Sequence, residues 1–168
     1  MFADYSAKKL IGDIDEIIIS KGTTITASQT IKGDIPVVAA GIKPAYYHNE
    51  SNWPGNVITV SASGANAGYI NYWDRPIFAS DCNVIESTDA NKVNIVFLFY
   101  ALLQNQQKLF ESQKGNAQPH VYADDIKSIS IPFPAILMQN QFASYVEEID
   151  KLKFAFYGKN TPAKTRRG

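Results

Sequence analysis

The sequence predicts an α+β fold with a β-rich first half, a buried helix and a long patterned helix near its C-terminal end. Between residues 17 and 86, glycine and proline recur every 8 to 12 residues or less, with β-branched and aromatic residues between them. Val93–Leu103 is apolar on nearly every face, which indicates a helix inside the domain. Six apolar residues then recur at spacings of 4, 3, 4, 3 and 4, the pattern of a heptad seam. The seam consists of Met138, Phe142, Tyr145, Ile149, Leu152 and Phe156.

The first half begins with one or two helical turns within Ser6–Ile14. They stop at Gly12, because glycine readily adopts the left-handed conformation that closes a helix. Strands follow, each bounded by turn-forming residues. They are placed near Ile17–Ile19, Val37–Ala39, Val57–Ser63, Tyr69–Trp73, Ile77–Ala79 and Asn83–Glu86.

The second half begins with the apolar helix. It starts near Asn91, capped by Asp89 or by the threonine before it, turns polar and ends at Gly115. Ile126–Ile131 alternates apolar and polar residues with period two, which predicts a half-buried strand.

The heptad helix starts just after Pro134 and ends at Gly158. Fewer than three heptads are marginal in isolation, so the seam packs on its own domain, on a longer partner helix or on a second copy. The chain therefore divides into a domain over 1–133, a helix over 134–158 and a flexible basic tail over 159–168.

Composition and charge limit the function. The formal net charge is zero, and four of the sixteen basic side chains lie in the last ten residues, which leaves twelve against sixteen acids in the body. Tight non-specific binding of nucleic acid by this chain alone is therefore not expected. No apolar run is long enough for a membrane span and no signal peptide is visible, so we expect a cytoplasmic protein.

Catalytic and cofactor signatures are missing from the sequence. There is no glycine-rich phosphate loop and no polar-Pro-Pro-aromatic loop that could hold a flipped adenine. His48 and His120 lie far apart without metal-ligand spacing, and the single Cys82 indicates a buried structural thiol. We expect no catalysis, no cofactor and no metal; a small hydrolase that uses either histidine is the least favoured alternative.

Two segments suit recognition of another molecule. Lys43–Trp53 is dense in aromatic, amide and imidazole groups, which can stack on bases or bond to their edges, although a well-packed polar loop is equally compatible. Ser61–Gly68 joins two strands through small residues, which allows another backbone or a ligand to approach closely, as a tight hairpin also requires.

Several motifs in sequence order carry a family resemblance. They include Gly33-Asp-Ile-Pro-Val37, Ile58-Thr-Val-Ser-Ala-Ser-Gly64-Ala-Asn-Ala-Gly68, Pro76-Ile-Phe-Ala-Ser-Asp81, Gly115-Asn-Ala-Gln118-Pro-His120 and Ile129-Ser-Ile-Pro-Phe-Pro134. With them the chain resembles the target-recognition half of Type I restriction-modification specificity subunits, and the similar domains of fused Type II restriction-methylation enzymes. The resemblance implies an α+β DNA target-recognition domain followed by a coiled-coil spacer helix, without catalysis of its own. It favours pairing of the seam with another helix.

The resemblance also implies partners and binding residues. The partners are double-stranded DNA, an adenine-N6 methyltransferase subunit, a restriction subunit, and a second recognition domain that pairs through the six seam residues. The alternative is an assembly module that no longer reads DNA. The candidate DNA-binding residues are Lys21, Lys32, Lys43, Tyr46, Tyr47, His48, Asn52, Trp53, Ser63, Asn66 and Arg75.

Overall fold

The computed structural model describes residues 7–115 and 118–158, in which a four-stranded sheet lies between a helical layer and a three-stranded sheet. This architecture confirms the predicted α+β class. The strands are β1 (Lys8–Leu10), β2 (Ile17–Lys21), β3 (Ile35–Val38), β4 (Tyr46–His48), β5 (Val57–Ser61), β6 (Ile70–Trp73), β7 (Phe78–Ala79), β8 (Cys82–Ser87) and β9 (Ser130–Pro132). The helices are α1 (Ile95–Leu103), α2 (Gln106–Glu111), α3 (Ala123–Lys127) and α4 (Ile136–Gly158). The expected tail over 159–168 lies outside the described residues.

The four-stranded sheet has the order β2-β8-β5-β6 and is antiparallel throughout. Side chains alternate between its faces, so Ile58 and Ile85 pack in the core beneath α1. Val57 and Val84 point the other way, into a smaller core shared with the three-stranded sheet. β5, one of the two inner strands of this sheet, is therefore buried on both faces.

The three-stranded sheet has the order β4-β3-β7, with β3 antiparallel to β4 and parallel to β7. Ile77, Ala79 and Cys82 fill the space between the two sheets, and Trp53 and Trp73 border it. β4 is an edge strand of this sheet, and β6 is an edge strand of the four-stranded sheet.

The N-terminal helix prediction is wrong. Lys8–Leu10 forms β1, which pairs with β9, and a single 3₁₀ turn follows at Ile11–Asp13. One or two isolated helical turns are unstable, whereas β9 offers backbone hydrogen bonds and the core takes up the Ile11 side chain. Ser6 lies outside the described residues.

The apolar helix starts later than predicted and is divided in two. The side chain of Asn94 caps α1 by accepting hydrogen bonds from the backbone N–H groups of Val96 and Phe97, at 3.0 and 3.1 Å. Asn105 separates α1 from α2, and its Nδ2 donates back to the carbonyl of Ala101 at 3.0 Å.

The predicted strand over Ile126–Ile131 is half wrong, because its first part belongs to α3. Asp125 fixes the start of that helix by accepting a hydrogen bond from the backbone N–H of Tyr122 at 2.9 Å. Ile126 and Ile129 are three residues apart, so a helical turn brings both to one buried side, whereas a strand would turn them to opposite faces. The strand pairing is confined to β9.

The helix expected after Pro134 is present as α4, and the heptad seam divides between two environments. Met138 and Phe142 are half-buried, with the Phe142 ring 5.7 Å from that of Phe97. From Tyr145 onward the seam is exposed, reaching 69% at Leu152. The first turns of α4 thus pack on the domain, and farther along the helix the seam side faces solvent while Val146, Asp150 and Phe154 line a cavity against the domain.

Candidate nucleic-acid interface

A cleft of about 260 Å³ lies where the edge strands β4 and β6 approach each other. Its walls are aromatic and proline side chains, and its charged groups are two carboxylates and one guanidinium. The lining residues are Asp34, Pro36, Pro44, Tyr47, Tyr72, Trp73, Asp74 and Arg75. The cleft brings together two of the predicted DNA-binding residues, Tyr47 and Arg75.

Backbone pairing explains why Tyr47 lines this cleft. It stands opposite Pro36 in the β3–β4 register, and strand alternation turns it away from the face of Tyr46 and His48. The Tyr47 side chain is exposed while His48 is buried. An exposed aromatic ring on an edge strand is available to contact a base or a sugar.

Hydrogen bonds hold the opposite wall in place. Trp73 Nε1 donates to Thr59 Oγ1 at 2.8 Å, and the Tyr72 hydroxyl donates to Asn56 Oδ1 at the same distance. Burial raises the pKa of Tyr72, and the nearby carboxylate of Asp74 raises it further, so Tyr72 stays a neutral donor. This wall is formed before any ligand arrives.

Lysines with no ion pair flank the cleft along the chain. Lys32 precedes Asp34 and Lys43 precedes Pro44, and neither they nor Lys21 form an ion pair with another residue in 7–115 or 118–158. The Nδ2 of Asn71 in β6 donates to the carbonyl of Ile42 at 3.4 Å, which ties the Lys43 loop to the cleft. Ammonium groups without acidic partners suit phosphate contact.

Three of the predicted residues support the structure at this end of the fold. His48 is 6% exposed, and its Nδ1 accepts a hydrogen bond from the backbone N–H of Ile31 at 2.9 Å. Asn52 bonds to both the N–H and the C=O of Ala79. Trp53 is half-buried and bridges to Ile77. These side chains lie beneath or beside the cleft, with their polar atoms already engaged or their rings packed.

The predicted Ser61–Gly68 hairpin lies at the other end of β6. Ser63 is buried and donates to the carboxylate of Asp81, while Asn66 is half-buried. The backbone N–H of Gly64 donates to the carbonyl of Pro119 at 2.9 Å. Ser63 and Asn66 are therefore not part of the β4–β6 cleft.

Lys21 lies on the opposite side of the sheet, at the end of edge strand β2. It lines a second pocket of about 450 Å³ with His120 and Tyr122, whose rings stack at 5.9 Å. Lys114 Nζ lies over the Tyr122 ring, 5.7 Å from its centroid, and donates a hydrogen bond to Asp125 Oδ1 at 2.6 Å. This hydrogen bond raises the pKa of Lys114. Lys21 is thus separated from Lys32 and Lys43.

Of the charged and aromatic residues that line the cleft, sequence reasoning missed four, Asp34, Tyr72, Trp73 and Asp74. Tyr72 and Trp73 were assigned only to a strand. One signal was available: the run Tyr72-Trp-Asp-Arg75 places two aromatic and two charged side chains directly before Pro76, where a strand ends. Their closeness to Tyr47 depends on the relative position of two sheets, which no local pattern encodes.

The described residues contain no group of three or more His, Cys, Asp or Glu side chains that could hold a metal ion. Cys82 is fully buried, as predicted, and burial raises the pKa of its thiol to about 12. None of the helices in the described part of the chain is long and apolar enough to cross a membrane.

Comparison of the sequence with known protein families identifies the family of this chain. Residues 5–163 match the sequence profile described as the type I restriction modification DNA specificity domain. The chain belongs to this family. It is a family of specificity domains, named for DNA recognition and not for catalysis.

Relatives of this specificity domain share its fold. A protein of Mycoplasma pneumoniae named as a type I specificity subunit is 27% identical over 121 residues, which cover 71% of this chain and 32% of that protein. The crystal structure of the S subunit from M. genitalium is 20% identical, with a TM-score of 0.72 over 88% of this chain and 40% of that one. The HsdS subunit from Thermoanaerobacter tengcongensis is 15% identical, with a TM-score of 0.61 over 94% of this chain and 40% of its own. The specificity domain thus spans about a third to two fifths of the length of these proteins.

Proposed function

We propose that this specificity domain reads double-stranded DNA through the β4–β6 cleft and directs a partner adenine-N6 methyltransferase to the sequence it recognises. The observation that carries the proposal is the cleft itself, where an exposed tyrosine and an arginine stand against a pre-formed aromatic wall. Lys32 and Lys43 flank it as phosphate contacts, and the side chains inside it supply base contacts. Within such a system a restriction subunit would use the same specificity component.

The acidic excess of the body fits a division of labour. Few phosphate contacts give the isolated chain weak affinity, so discrimination comes from the cleft and much of the affinity comes from the methyltransferase. Lys21 and the stacked His120 and Tyr122 lie on the opposite side, where they can contact DNA only if it wraps around the sheet.

A binding titration tests the proposal. Labelled random-sequence duplex DNA is titrated with the chain, alone and with a type I modification subunit, at low and at moderate salt. We expect weak binding with a shallow salt dependence by the chain alone, and tighter binding with the methyltransferase. Absence of binding in every arm would refute the proposal.

We further propose that the exposed part of the seam on α4 pairs with a second recognition domain, supplied by another copy or by a longer partner. Tyr145, Ile149 and Leu152 form an exposed apolar row on one helix face, and Glu147–Lys151 and Asp150–Lys153 ion pairs lie beside it. A row of this kind in water marks a protein contact. We expect Leu152→Ser to reduce self-association in sedimentation experiments, and Ala155→Ser, outside the row, to leave it unchanged. Equal behaviour of the two variants would contradict the pairing.

A second candidate function is an assembly module that binds protein partners through this row and no longer reads DNA. The acidic excess of the body favours it. The same titration, extended to the modification subunit alone, separates the two, because an assembly module would bind that subunit without improving its affinity for DNA.

A further inference from the structure

The turn between β6 and β7 presents an ion pair at the mouth of the cleft. Arg75 Nε lies 3.0 Å from Asp74 Oδ1, and both side chains are about two-thirds exposed. Such an exposed pair contributes little to stability. Its position on an aromatic-walled cleft indicates a role in binding.

Tight backbone contacts fix the place of this turn. Gly55 has a φ of +102°, and a Cβ added to it would come within 2.6 Å of the backbone carbon of Arg75. The next residue, Asn56, has a φ of 55° and accepts the hydrogen bond from Tyr72. The Asp74–Arg75 pair is therefore held against a neighbouring loop that admits no side chain at Gly55.

Much of the hydrogen-bonding capacity of the pair is unused. Within the described residues the Nη groups of Arg75 and the Oδ2 of Asp74 form no hydrogen bond. The guanidinium of Arg75 can thus donate two hydrogen bonds side by side, and Asp74 Oδ2 next to it can accept one. One short turn positions both groups.

That arrangement matches one base pair in the major groove of DNA. A G·C pair presents two adjacent acceptors, guanine N7 and O6, followed by the cytosine N4 amine as donor. An A·T pair presents acceptor, donor, acceptor, which would place the thymine O4 against the carboxylate. On the basis of the proposed function, we propose that Arg75 donates to guanine N7 and O6 while Asp74 accepts from cytosine N4, so that the pair reads one G·C base pair.

The charges around the cleft indicate that the Asp74–Arg75 pair contacts bases and not phosphates. Asp74 neutralises Arg75, and Asp34 adds a further negative charge, so the turn is a poor phosphate site. A carboxylate at a DNA interface is favourable where it accepts from a base amine. Lys32 and Lys43, which have no described acidic partner, are the better phosphate contacts.

Selection from a randomised duplex library tests this assignment, with the chain alone and with a type I modification subunit. We expect the wild-type site to contain a G·C pair. Asp74→Ala and Arg75→Lys should each lower the preference at that pair by roughly 5- to 150-fold and leave the other positions unchanged. Circular dichroism melts should match the wild type, because both side chains are exposed.

The matched control is Asp124→Ala. Asp124 is an exposed carboxylate that pairs with Lys127, on the opposite side of the sheet from the cleft. Its loss removes the same charge and should leave base preference intact. If neither Asp74→Ala nor Arg75→Lys relaxes the preference at a G·C position of the wild-type site, this inference is overturned and the proposed function is not affected. Failure of the wild type to select any DNA would overturn the proposed function together with it.

Discussion

At Asn52 a side chain takes the place of a backbone partner. Its Oδ1 accepts from the Ala79 N–H at 2.6 Å, and its Nδ2 donates to the Ala79 carbonyl at 2.9 Å. The carboxamide thus forms the two hydrogen bonds that a neighbouring strand would form with β7. Tyr47, five residues earlier, makes no comparable bond and stands exposed in the cleft.

The two residues should therefore respond differently to alanine substitution. We expect Asn52→Ala to lower the free energy of unfolding by about 1–3 kcal/mol, because two polar groups of β7 lose their partner. Tyr47→Ala should change it by less than about 0.5 kcal/mol and weaken DNA binding instead. Urea unfolding and duplex titration of both variants check this; equal loss of stability would contradict it.

The thiol of Cys82 provides a second test at this scale. With a pKa of about 12 and no exposed surface, it should resist alkylation by iodoacetamide at pH 8 in the native protein. Labelling followed by mass spectrometry should rise only in concentrated urea, in step with the loss of the circular dichroism signal. Rapid native labelling would show that the small core between the sheets opens locally.

Among the elements, α4 depends on one buried polar residue. Gln139 is fully buried, and its Oε1 accepts from the Asn94 N–H at 3.0 Å while its Nε2 donates to the Pro134 carbonyl at 2.9 Å. It thereby joins the start of α4 to the residue that caps α1.

Loss of this carboxamide should loosen the base of α4. We expect Gln139→Ala to destabilise the protein by about 1–3 kcal/mol in urea unfolding, since buried polar groups on two elements lose their partners. Gln141→Ala, on the exposed side of the same helix, is the control and should lie within about 0.5 kcal/mol of the wild type. Comparable losses in both variants would show that helix propensity, and not the carboxamide, explains the effect.

Elements with strong internal patterns were predictable, and those that depend on distant partners were not. The long periodicity of α4 and the apolar runs of β5 and β8 appear directly in the sequence. β1 is a strand because β9 pairs with it, and β4 is a strand because β3 does. The same limit applies to the cleft. The aromatic and polar residues around Tyr47 could be recognised in the sequence, but that Asp74 lies near Tyr47 follows only from the relative position of the two sheets.

Across the described part of the molecule, only two of the cations without an ion pair, Lys32 and Lys43, lie next to cleft residues along the chain. Each phosphate contact contributes about −0.9 to the slope of log affinity against log salt, so the isolated chain should show a shallow dependence. Lys43→Ala should reduce the magnitude of that slope by about 1, without changing sequence preference. Lys127→Ala is the control, because Lys127 already pairs with Asp124. Duplex titrations over a range of salt concentrations measure both slopes, and an unchanged slope for Lys43→Ala would exclude it as a phosphate contact.

The pairing of β1 with β9 determines when, during synthesis, the fold of the domain can be completed. Leu10 is translated about 120 residues before its partner Ser130. At typical elongation rates this delay is about 6 to 25 s, during which β1 has no strand to join. β9 lies immediately before α4, so the first turns of α4 and the strand β1 reach their final positions together. The nascent domain is thus completed at its two ends last, just as the surface that would receive a second recognition domain emerges.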